Sequence, residues 1–185
     1  MNWILYAYLT VLSWGVYGIF LHLGRGGMLG GKPTGPEAGN AGLKAFLLVG
    51  VAYFVVAIVG PMIVLKMRQT DWSFTSSGIK WSFIAGTVGA LGAFTLVLAL
   101  GAAGKSMGAS APSAVMPIVF GGAPVVNAIV AILLHPPEGG FKSLPMPFIL
   151  GILFAAGGGF LVAKYAPTNT GAPAKPAIAA QSGAH

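Results

Sequence analysis

The chain has 185 residues, 56% of them hydrophobic and 7% charged, with a mean hydropathy of +0.83, which excludes an ordinary soluble domain and places it in a lipid bilayer. Cysteine is absent, so disulfides, thiol catalysis and cysteine-based metal sites are excluded. The net charge of +7 comes from basic residues scattered among the connections, which suits anionic lipid headgroups and predicts no nucleic-acid partner.

A bilayer core of roughly 30 Å needs about 20 apolar residues in a helix. Uncharged runs of that order predict an all-α integral membrane protein with five transmembrane helices, at about 3–23, 45–65, 81–104, 113–135 and 143–163. The first run reads as a span and not as a secretory signal peptide, because neither a basic leader nor a small-residue cleavage site frames it. Trp3 stands at its end, where interfacial aromatics sit, whereas Trp14 falls mid-span. His22, one residue from the end of the span, reads as an interfacial side chain and not as a proton relay. The connection GRGGMLGGKPTGPEAGNAGL, 24–43, is rich in glycine and proline and predicts an exposed irregular loop. Its glycines do not form a phosphate loop, since no strand precedes them and no Gly-Lys-Ser/Thr follows.

Lysines bracket the second, third and fifth runs: Lys44 and Lys66, Lys80 and Lys105, Lys142 and Lys164. Each is placed to extend its ammonium group to the headgroups. The connection after the second run holds Asp71, Trp72 and Phe74 and reads as a short interfacial turn. The third run repeats small residues at Gly86, Gly89, Ala90, Gly92 and Ala93, a helix-packing stripe. Thr87 and Thr95 are expected to bond back to their own helix. The connection near 105–112 is short enough to force the third and fourth spans into an antiparallel pair.

The fourth run contains MPIVFGGAPVVNAIV, residues 116–130, where Pro117 and Pro124 each remove a backbone donor and Gly121-Gly122 leave the backbone uncovered. Freed carbonyls are costly in hydrocarbon, so this segment should face protein or a water-filled cavity. Positions 117, 121, 124 and 128 share one helical face, with Asn127 about 60° from it. Kinked helices of this kind line solute sites in transporters, although small residues equally serve close packing, and an amide in a buried helix bonds a neighbour as readily as a ligand. The fifth run has its own small stripe at Gly151, Ala155 and Gly159. From 166 to 185 the composition is Ala/Pro/Gly-rich and predicts a disordered tail.

Five spans put Lys66, Arg68, Lys80 and Lys142 on one side and Arg25, Lys32, Lys44, Lys105, Lys164 and Lys175 on the other, a slight lean toward a cytoplasmic carboxyl terminus. No Asp, Glu, Lys or Arg lies inside any span, which disfavours carboxylate-based proton antiport. Glu37, Asp71 and Glu138 fall on separate connections, so neither a metal, a cofactor nor a paired acid and base is expected, and the chain does not read as an enzyme.

Ser13-Trp14-Gly15 in the first span resembles the Trp-Gly of the first helix in the EamA-type drug/metabolite transporter superfamily. The stretch GALGAFTLVLALGAAGKSMGASAPSAVMPIVFGGAPVV is similar to that family's hairpin of helices three and four, with Ala-Leu near the end of helix three, a turn of small residues, and a proline opening the later part of helix four. Glu138 stands about where many members carry a Gly-Glu, although Pro136-Pro137 replaces the usual approach. Members mostly have ten helices as two inverted five-helix repeats, so the resemblance implies one half of an inverted-repeat fold that works as a homodimer. It further implies a small-molecule substrate bound near Trp14, Gly15, Pro117, Gly121, Pro124 and Asn127: Trp14 for stacking or gating, the prolines and Gly121 for exposed backbone, and Asn127 for hydrogen bonding. The long first connection departs from the pattern. A half-size metabolite transporter of a prokaryotic cytoplasmic membrane and a non-transporting membrane subunit packed on another complex are the two functions these residues allow.

Overall fold

A computed structural model describes residues 3–30 and 36–167, and among these every regular element is helical. Four helical segments are long and apolar enough to cross a membrane: Trp3–Met28, Gly39–Met67, Ser76–Leu134 and Met146–Lys164. The expected tail at 166–185 lies outside the described residues from 168 onward.

Helix α1 (Trp3–Met28) and helix α2 (Pro36–Phe54) extend into the Gly/Pro-rich connection from both sides, so much of the expected irregular loop is helical. The first turn of α2 opens with Pro36, whose missing N–H has no intrahelical partner to lose there. Tertiary contact overrides the weak propensity of the glycines that follow. A Cβ on Gly42 would lie 3.2 Å from Val97 and 3.7 Å from Arg25, and one on Gly24 would lie 3.8 Å from Ala45.

The second segment is not a uniform α-helix. Val55–Val59 forms a π-helical turn between α2 and α3 (Gly60–Met67), and the Gly60 N–H reaches the carbonyl of Val55. Pro61 explains it: a proline ring clashes with the carbonyl four residues earlier and has no N–H to give it, and widening the turn before the ring relieves both problems. The segment ends in a Schellman motif, with Gln69 at φ 51°, Gln69 N–H donating to Lys66 and Thr70 N–H donating to Leu65 at 3.1 Å each.

Helix α4 (Ser76–Met107) begins at Thr75, whose hydroxyl accepts the Gly78 N–H at 3.2 Å. Within it Thr87 donates to the Phe83 carbonyl and Thr95 to that of Leu91, as the sequence predicts. After a 3₁₀ turn at Gly108–Ser110 the chain continues as α5 (Ala111–Leu134), then reaches α6 (Met146–Lys164).

Side-by-side contacts fix the directions of the helices. Gly24 meets Ala45 and Arg25 meets Gly42, so α1 and α2 are antiparallel. Gly42 meets Val97 and Phe46 meets Phe94, so α2 and α4 are antiparallel as well. Gly18 meets Met116 and Trp14 meets Phe120, which runs α5 against α1. Helix α4 therefore points along α1 and α5 against it, and the segment Ser76–Leu134 reverses at Gly108, whose φ of 54° is the left-handed backbone that a glycine accepts at little cost. The core sits at this junction, where Leu21 of α1, Ala45 of α2, Leu96, Val97 and Leu100 of α4 and Met116 of α5 pack together.

Candidate functional site

Helix α5 runs from Ala111 to Leu134 with Pro117 and Pro124 inside it. The prolines act locally, each removing one donor, and the helix carries on through the Gly-Gly pair. Gly121 is committed to the neighbouring helix: a Cβ there would lie 2.9 Å from the Cα of Gly159 and 3.0 Å from the carbonyl oxygen of Ala155. The carbonyl of Pro117 faces the same contact, 2.6 Å from where a Cβ on Gly159 would be. These two helices approach backbone to backbone, as small residues permit in membrane bundles.

One turn further along α5, beginning at Pro124, a cavity of about 620 Å³ opens between α5 and α6, and Asn127, Ala128, His135, Phe148 and Gly151 are also among the residues that line it. Its walls are mainly apolar, with the Asn127 amide and the His135 imidazole as the polar side chains. Asn127 is exposed within it and makes no hydrogen bond to another described side chain, so both its donors and its acceptor are available.

The six residues singled out from the sequence are thus divided. Pro124 and Asn127 share this cavity, and Pro117 and Gly121 belong to the α5–α6 backbone contact beside it. Trp14 of α1 packs on α5, its ring 6.4 Å from that of Phe120 in an edge-to-face arrangement and 5.5 Å from Tyr17, and it lines neither cavity. Gly15 has open space on its Cβ side and lines neither cavity. His135 was not among the sequence-derived residues. It ends α5, its N–H bonded to Ala131 at 2.8 Å, and its position at the end of the fourth run was the signal that could have found it.

A second, larger cavity of about 830 Å³ lies at the other end of the bundle, where α1 and α4 end and α2 begins. Its polar wall is formed by His22, Arg25 and Lys105, and its apolar wall by Leu29, Val97 and Leu98 among others. No carboxylate is among its described lining residues. Sequence reasoning treated Arg25 and Lys105 only as flanking charges, because the glycines that Arg25 packs against, Gly42 and Gly104, lie on two other helices.

Among the described residues no group of three or more His, Cys, Asp or Glu is placed to hold a metal ion. No protein-family model, curated protein or solved structure matches the chain.

Proposed function

We propose that the protein is a half-size membrane transporter of a small metabolite, with five membrane crossings, in which two copies form the transporting unit by alternating access. The observation that carries the reading is the cavity between α5 and α6, in which Pro124 and the exposed Asn127 amide lie together in an otherwise apolar wall. Its volume of about 620 Å³ falls in the range that holds small organic molecules, and a single amide and imidazole would orient a polar solute without demanding a charged one. The resemblance of Ser13-Trp14-Gly15 and of the hairpin sequence to EamA-type transporters supports the same reading and implies an inverted pairing of two such repeats. A prokaryotic cytoplasmic membrane is the location we assign.

One observation favours a second reading, an integral subunit of another membrane complex. Gly86, Gly89 and Gly92 of α4 are exposed with open space beside each, a face shaped for a close helix from another chain. The native mass of the tagged protein, gently extracted from its own membrane, separates the two. A homodimer is expected, followed by uptake of a screened metabolite into proteoliposomes that falls in Asn127→Leu and Pro124→Ala. A stoichiometric foreign partner overturns the transporter reading, and uptake unchanged by both substitutions overturns the assignment of the site.

A further inference from the structure

The cavity at the end of α1, α2 and α4 has the chemistry of an anion site. Arg25 occupies the last turn of α1 and Lys105 that of α4, positions where cations ordinarily do no more than complement helix dipoles or reach for the headgroups. Arg25 does something else. Its side chain lies against two other helices: a Cβ on Gly104 of α4 would lie 2.9 Å from Nη1 of the guanidinium, and one on Gly42 of α2 would lie 3.7 Å from Cδ of the stem. The absence of side chains at both glycines gives the arginine its room, and Arg25 and Lys105 line the same cavity. His22 stands one turn back on α1 and lines the same cavity, its Nδ1 buried without a hydrogen-bond partner.

Arg25 and Lys105 are the charged side chains among the described lining residues of this cavity of about 830 Å³. We propose that this cavity binds a phosphate group carrying net negative charge, with Arg25 as its bidentate anchor and Lys105 as the second cation. A planar guanidinium fork matches two phosphate oxygens, and the ammonium adds charge without directional demand. The remaining volume, walled by Leu29, Val97 and Leu98, would take the organic part of the ligand. Two sources supply this chemistry, an anionic phospholipid headgroup and a free phosphate ester. The position at helix ends, on the side where the flanking charges are more numerous, serves both. The proposal does not rest on the transport reading, since a membrane subunit would carry the same pocket.

The test uses the full chain, delipidated in a maltoside detergent that contains no phosphate. One arm measures retention of added phosphatidylglycerol by native mass spectrometry, with zwitterionic phosphatidylcholine as the control. The other measures binding of radiolabelled glycerol 3-phosphate by equilibrium dialysis. Saturable binding is expected in at least one arm, about tenfold weaker in Arg25→Gln for loss of a charge-assisted pair. Retention of phosphatidylglycerol alone identifies the lipid as the source, and binding of glycerol 3-phosphate alone identifies a soluble ester. Gly104→Ala keeps every charge and displaces only the guanidinium, so it is expected to weaken binding severalfold and stands in for Arg25→Gln should that variant not fold. Absence of saturable binding in both arms overturns the proposal. So does binding that Arg25→Gln and Gly104→Ala leave unchanged, which would mark Arg25 as a helix-end charge only.

Discussion

Gly121 of α5 and Gly159 of α6 meet so closely that a methyl group on Gly159 would sit 2.9 Å from the Cα of Gly121 and 2.6 Å from the Pro117 carbonyl oxygen. Backbone atoms have no rotamer through which to move aside, so Gly159→Ala must separate the helices. We expect a loss of about 1–3 kcal/mol. Gly158, the preceding residue, has open space at its Cβ, and Gly158→Ala should stabilise α6 by about 0.5–1 kcal/mol through reduced chain entropy. Thermal unfolding of the two variants in detergent checks the pair: equal midpoints would show that the helices do not touch here.

The contact of Gly18 with Met116 is of another kind, because its partner is the sulfur end of a flexible side chain. Gly18→Ala should therefore cost less than Gly159→Ala, under about 1.5 kcal/mol, as Met116 takes another rotamer. In a Met116→Ala background the same substitution should cost nothing further. A double-mutant cycle over the two sites measures this coupling, and strict additivity would contradict it.

Pro61→Ala restores a backbone donor to the carbonyl of Ala57 and removes the ring that forces the π turn at Val55–Val59. Amide hydrogen exchange through residues 55–60 should slow by about tenfold or more as the ladder closes. Exchange that is unchanged would mean the wide turn is imposed by packing and not by the proline.

Thr75 caps α4 through its hydroxyl, the acceptor for the Gly78 N–H. Thr75→Ala should lower stability by about 1 kcal/mol, and Thr75→Ser should restore most of it, since serine offers the same oxygen. Chemical denaturation of the three proteins decides the matter, and a serine variant as unstable as alanine would remove the cap from the account.

The membrane character and the helical class could be read directly, because hydrocarbon imposes a length and a polarity that Lys44 and Lys66 or Lys142 and Lys164 mark out on the chain. Boundaries were less legible. Gly24, Gly26 and Gly27 look like a loop by propensity, yet they lie within α1, where Gly24 packs on Ala45 across the helix pair. Prolines could be located but their consequences could not. A widened turn precedes Pro61, while Pro117 and Pro124 lie in an unbroken helix, and no local feature of the sequence separates the two cases. The face shared by Pro117, Gly121 and Pro124 was visible as a periodicity. Its division between a dry contact at Gly121 and a cavity at Pro124 depends on Gly159, a residue far along the chain. For the same reason the pairing of Arg25 with Gly104 had no local signal.

The reversal at Gly108 leaves only the three residues of a 3₁₀ turn between α4 and α5. Neither helix can lie far from the other, and Leu96 and Leu100 of the first pack with Met116 of the second across the turn. The short turn therefore ties the two helices into a hairpin.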